Sequence, residues 1–252
     1  MTRQHPHGFT LPEILIVVAF IGMVLTSVLT VSMQSSKIYS RMAVHEKAEA
    51  VLELALKRME KVMREAMFIR VGSTSTAVEI ALPLKDSGGK IIPSSIEVNP
   101  TTHAKALVRQ EGKHICFFLG RYSTTNPTQA MPDGVNGNTI FMISSGTDAT
   151  TGTDIISAAG TLSSSYTNAK EIITGINSVP TVPDPAHPGQ ALNAFIFTYS
   201  TSGTTSAFQD GLNSQILRVT LTMPIANGPS GEPIHDQTLS TQFCLRNFES
   251  LN

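Results

Sequence analysis

The 252-residue chain contains no tryptophan, only two cysteines and 6% aromatic residues, and its formal charge at pH 7 is −1. Two cysteines, Cys116 and Cys244, exclude a disulfide-dense scaffold and a four-cysteine zinc module. There is no block of Lys or Arg, and without clustered cations to neutralise phosphates no nucleic-acid partner is expected. Enzyme signatures are missing too. His45-Glu46-Lys47-Ala48-Glu49 lacks the second histidine of a zinc-protease helix and reads as a solvated helix face, and no Gly-x-Ser-x-Gly occurs. Asp133-Gly-Val-Asn-Gly-Asn138 sets oxygen ligands close together without the EF-hand order or its terminal Glu, so it reads as an ordinary turn rather than a calcium loop. His103 and His114 could face each other across a hairpin, but two histidines alone make no site. The expectation is a non-enzymatic protein with no catalytic residue, metal or cofactor.

What is present is unevenly spread. Residues 1–122 hold 15 Lys/Arg against 10 Asp/Glu, whereas residues 123–252 hold 3 against 9. The acidic, Ser/Thr/Gly/Pro/Asn-rich second half suits a water-facing, extracytoplasmic β-rich domain. With 41% apolar residues the chain can build one substantial core or two small ones.

From Ile14 to Ser36 run 23 residues without a charge. As a helix this stretch spans roughly 35 Å, enough to cross a bilayer. It is too long for the apolar region of a cleaved secretory signal and leads straight into a helical pattern. Arg3, His5 and His7 precede it with no acid before Glu13, which places the N-terminus in the cytoplasm and the rest on the far side; Lys37 and Arg41 pull the other way. A plain anchor leaves Glu13 unexplained, because a carboxylate at the edge of hydrocarbon needs compensation. Thr10-Leu11-Pro12-Glu13 also reads as a capping box, with Thr10 as N-cap, Glu13 reaching back to its N–H, and Pro12 tolerated in the first turn.

The segment His7-Gly8-Phe9-Thr10-Leu11-Pro12-Glu13, followed by Ile-Leu-Ile-Val-Val-Ala-Phe-Ile-Gly, resembles the signature of type IV pilins and type II secretion pseudopilins. The resemblance is close over residues 8–36 and looser over 37–70. It implies that a prepilin peptidase removes residues 1–8 by cutting between Gly8 and Phe9, and that Phe9 becomes an N-methylated terminus. It also implies that Glu13 pairs with the terminal ammonium of a neighbouring pilin or pseudopilin in a filament. Pro12 stands where the family more often has an aliphatic residue, and Ile14 to Ile69 contains no proline, unlike many major pilins. The size, the start and the terminal Cys-Leu-Arg-Asn-Phe look most like a minor subunit of the J type.

Beyond the span, Ala48, Leu52, Ala55, Met59, Val62, Ala66 and Ile69 keep helical spacing, with Glu53/Lys57 and Glu60/Arg64 as i,i+4 pairs. One helix from Thr10 to about Arg70 is predicted, roughly 90 Å long, with Gly22 and Thr26-Ser27 as its weak points. The methionines at 59, 63 and 67 read as packing material. After Gly72 the period shifts towards two, and strands are expected at Ala77–Leu84, Ala104–Gln110, His114–Gly120, Thr139–Ser144, Leu192–Tyr199, Gln215–Pro224 and Gln237–Phe248. Glu111-Gly112-Lys113 is expected to join two of them as a hairpin turn. Residues 216–223 alternate as though one face meets the helix and the other water. Cys116 and Cys244, each in an apolar strand, are expected to form a disulfide in a periplasm-like compartment, with two buried free thiols as the other reading.

The predicted class is α+β and pilin-like, a long N-terminal helix packed on an antiparallel sheet. Its expected organisation is a leader at 1–8, a transmembrane or filament-core half at 9–36, an amphipathic half at 37–71 and a periplasmic β-rich domain at 72–252, with a loop insertion near 146–188. The expected function is a minor subunit of a type II secretion pseudopilus or type IV pilus-like filament, held first in the inner membrane, that initiates or caps assembly. The alternative is a membrane-anchored adhesin or DNA-uptake module for which the span is only a tether.

Overall fold

The computed structural model describes residues 10–69, 73–92, 95–98, 105–108, 110–157, 159–178, 181–183, 191–193, 196–201, 204–205, 216–225 and 236–244. Helix α1 runs without interruption from Leu11 to Met63, about 80 Å at the standard rise. Among the described residues fourteen strands follow: β1 Phe68–Ile69, β2 Ala77–Pro83, β3 Ser95–Val98, β4 Lys105–Val108, β5 Glu111–Tyr122, β6 Ala130–Pro132 and β7 Thr139–Ser145, then β8 Lys170–Thr174, β9 Thr181–Pro183, β10 Ala191–Asn193, β11 Phe197–Thr201, β12 Thr204–Thr205, β13 Ile216–Met223 and β14 Gln237–Cys244. The chain divides into two compact units. The described residues of the first are 10–47; those of the second lie between 48 and 244.

In the first unit, three of the hydroxyls that interrupt the apolar run are satisfied within the helix itself. Thr26 and Thr30 each donate to the carbonyl four residues back, Gly22 and Thr26, at 2.8 Å, and Ser27 donates to Met23 at 2.9 Å. The positions expected to loosen the helix therefore hold, because each hydroxyl finds an acceptor without leaving the helix surface. From Leu11 to Val44 the large apolar side chains of α1 are exposed.

The second unit is α+β. Its largest sheet has the order β1-β2-β5-β7-β8 with β6 also on β5, and a second has the order β12-β11-β13-β14; two-stranded ladders join β3 to β4 and β9 to β10, and every described pairing is antiparallel. One core unites the last turns of α1 with both larger sheets: Leu52, Met59 and Met63 of the helix with Ile80, Phe117, Leu119 and Ile140 of the first sheet and Leu217, Val219 and Leu221 of the second. Strand alternation sends Val78, Ile80, Ile115 and Phe117 inward and Ala77, Glu79, His114, Cys116 and Phe118 to the opposite face. Pairs Glu53–Lys57, at 2.7 Å, and Glu60–Arg64 line the helix as their spacing predicts.

Four expectations change. The helix stops at Met63 rather than near Arg70, because Met67 N–H is taken by the Ala81 carbonyl at 2.9 Å and Phe68–Ile69 joins the edge of β2. Glu111-Gly112-Lys113 is not a turn but the start of β5, and β4 pairs with β3 instead. Gly112 is there for a close approach: a Cβ would sit 2.9 Å from the Pro83 carbonyl, where the β2–β5 register shifts. The outward face of β13 is not simply wet, since Thr220 and Thr222 are buried while Arg218 is exposed. Finally, the segment expected as an insertion near 146–188 includes strand β8, and before it Ile156 packs on the outer face of the first sheet with Ile155, Leu162 and Tyr166 beside it. Tyr166 lies 5.3 Å from Phe118, ring centre to ring centre. Apolar residues too irregularly spaced to mark a strand suffice to seal an already formed sheet.

Candidate functional site

Among the described residues, two places gather chemistry-bearing side chains. At the start of α1 the Glu13 carboxylate accepts Thr10 N–H at 3.0 Å and the Thr10 hydroxyl at 3.1 Å, while Thr10 C=O accepts Ile14 N–H at 3.2 Å. Glu13 thus reaches back as a capping-box acid does, satisfying an amide that the helix itself leaves without a partner. Gly8 and Phe9, the positions of expected cleavage and methylation, lie outside the described residues, as does His103. The helix that Glu13 opens is long and apolar enough to cross a membrane, and none of its most apolar stretch is buried within the chain.

The second place is on the outer face of the first sheet, and reading the sequence missed it. Glu79 of β2 and His114 of β5 are 35 residues apart, yet both are almost fully buried and Glu79 Oε1 lies 3.0 Å from His114 Nδ1. The Glu79 carboxylate also accepts Ile155 N–H at 3.0 Å and Ile156 N–H at 2.6 Å, which pins the segment after β7 onto the sheet. Asp154, immediately before these amides and half exposed, brings Oδ1 to 3.6 Å from the same His114 Nδ1. On the other side of the ring, Glu111 Oε2 stands 3.3 Å from Nε2. Backbone closeness makes the arrangement possible. Gly146 turns the chain back with φ of 79°, and a Cβ on Gly152 would stand 2.9 Å from His114 N and 2.5 Å from the Ser145 carbonyl. One signal was visible in the sequence: Glu79 is the lone charge in Ala-Val-Glu-Ile-Ala, a strand whose every residue is buried.

Cys116 is a buried free thiol, and the side chain of Cys244, its expected partner, lies outside the described residues. Cys116 sits in the outer cluster with Phe118, Phe141 and Ile156. Burial, and secondarily the Glu79 charge, push the Cys116 thiol well above the usual thiol range, so it behaves as a small apolar group. In the Asp133 turn, Oδ1 accepts Val135 and Asn136 N–H at 3.1 and 2.8 Å and Oδ2 accepts Arg121 Nε at 3.0 Å, so this carboxylate is engaged in closing its own turn.

Comparison with models of known protein families, with curated proteins and with solved structures gives no match. The α+β arrangement of a long N-terminal apolar helix and an antiparallel sheet is the one expected of a pilin-like chain.

Proposed function

We propose that the chain is a non-enzymatic minor subunit of a type II secretion pseudopilus or type IV pilus-like filament, inserted in the inner membrane by α1 and drawn from it during assembly. The observation that carries this reading is the opening of α1: an acid held at the first turn of a helix whose following apolar side chains, from Ile14 to Val31, are all exposed. So many exposed apolar groups on one helix call for hydrocarbon or other helices around them. A carboxylate there costs several kcal/mol when desolvated alone and much less opposite an ammonium, on the order of the buried-ion penalties known in proteins. In the assembled filament that ammonium is the freed Phe9 terminus of an adjoining pilin or pseudopilin, after a prepilin peptidase has cut beside Gly8. Partner and peptidase both follow from the Gly-Phe-Thr-Leu-Pro-Glu resemblance.

The test is Glu13→Val in the full chain. Membrane insertion and loss of residues 1–8 are expected to persist, read by membrane fractionation and by the mass of the mature protein, while incorporation into sheared filaments falls severely. Normal incorporation of Glu13→Val, or a mature protein that keeps Met1, refutes the reading and favours a tethered adhesin or uptake module.

A further inference from the structure

The Glu79–His114–Asp154 group plays no part in the assembly role, and its make-up is unusual for a structural ion pair. Three carboxylates approach one imidazole, Glu79 and Asp154 at Nδ1 and Glu111 at Nε2. Even a protonated ring leaves these four groups with a surplus of negative charge. Glu79 Oε1 and Asp154 Oδ1 converge on the same ring nitrogen at 3.0 and 3.6 Å, and one ligand atom from each of the three residues lies within 4.8 Å of the others. Ligand atoms around a tetrahedral zinc ion with bonds near 2.1 Å stand about 3.4 Å apart, so these spacings fit a shared cation with small adjustments.

We propose that Glu79, His114 Nδ1 and Asp154 form a binding site for a divalent transition-metal cation of the zinc type, which ties the segment after β7 to the outer face of the sheet. The surroundings match what such a site needs. Glu111 Oε2 lies 3.3 Å from Nε2, within a small side-chain adjustment of accepting the Nε2–H of a histidine that ligates through Nδ1. Ile155 and Ile156 N–H orient the Glu79 carboxylate. Half-exposed Asp154 provides the entry side, while Glu79 and His114 supply a dry floor. An imidazole nitrogen among carboxylates selects zinc over calcium or magnesium, which prefer all-oxygen shells. The site is independent of Glu13 and of filament assembly.

The full chain, purified in detergent and stripped with chelator, is dialysed against Zn2+, Ca2+ or Mg2+. Bound metal is then counted by mass spectrometry and thermal unfolding is followed. The expected result is one Zn2+ per chain, an unfolding midpoint raised by several degrees, and X-ray absorption showing one imidazole among oxygen ligands. Asp154→Asn, an exposed change that leaves the fold intact, is expected to weaken zinc binding by about tenfold or more; His114→Gln abolishes it. Zinc uptake unchanged in Asp154→Asn, as binding by His5 and His7 would give, overturns the proposal. So does the absence of stoichiometric zinc in the wild type, or uptake of Ca2+ in preference to Zn2+.

Discussion

Residues 11–47 and 48–63 belong to one helix but meet opposite surroundings. In the first stretch Leu25, Leu29 and Met33 are 57%, 62% and 65% exposed; in the second Leu52, Met59 and Met63 are 0% exposed. The same backbone hydrogen-bond ladder therefore has two sources of stability. After residue 47 it is fixed by burial of side chains against a sheet core, at roughly 25 cal/mol per Å² of apolar area. Before residue 48 no packing of its large apolar side chains among the described residues supports it, and helix-forming tendency, the Thr10–Glu13 cap and an apolar environment must do so. An amphipathic pattern marks a helix that has found its core, and an all-round apolar one marks a helix still lacking surroundings.

The sharpest way to break this contrast is to make one change at two methionines. Met59→Ala is expected to cost about 2–5 kcal/mol, as buried Met truncations do, whereas Met33→Ala stays within about 0.5 kcal/mol. Denaturant unfolding of the second unit in the full chain measures both, and equal effects would dissolve the distinction. The complementary change is Leu25→Arg. It is expected to cost about 2.5–3.5 kcal/mol of membrane insertion, seen as protein lost from the membrane fraction, while leaving the denaturant midpoint of the second unit unmoved. A smaller effect separates two glycines. Gly152→Ala forces the backbone off the His114 strand and is expected to cost about 1–3 kcal/mol in thermal unfolding. Gly22→Ala meets nothing within 4 Å and is expected to strengthen the helix, by about 1 kcal/mol at most. The smallest effect is electrostatic. Asn136 N–H first, and after the opposing effect of burial Val135 N–H and Arg121, hold the Asp133 carboxyl below its usual range. A lowered folded pKa stabilises above the ordinary carboxylate range, and that stability is lost as pH falls through the lowered value. Asp133→Asn is therefore expected to flatten the acid side of the stability profile, read as thermal midpoints between about pH 6 and pH 2.

Much of the fold was legible because it is local. Thr10 and Glu13 are three residues apart, and their capping contact follows from that spacing alone. The burial of Ala48, Leu52, Ala55 and Met59 followed from helical periodicity, and the strands near 77, 139, 216 and 237 from alternation. The helix end was misjudged for an instructive reason: Ala66 and Ile69 are buried at the expected spacing, but in the link after the helix and an edge strand, and hydrophobic spacing does not reveal which backbone delivers a side chain to the core. Gly112 misled in the same way, since a glycine that opens a turn and one that admits a neighbouring backbone look alike in a sequence.

The residues alone determined the long apolar helix, its acid cap, the acidic β-rich remainder and the α+β class, since each depends on neighbours within a turn or along a strand. Only the tertiary structure decided that Cys116 faces away from the inner core and that Ile155, Ile156, Leu162 and Tyr166 cover the outer face of the sheet. It alone brought Glu79, His114 and Asp154 to one point. Those outcomes depend on strand register across 35 and more residues, and a one-residue slip would send each side chain to the other face.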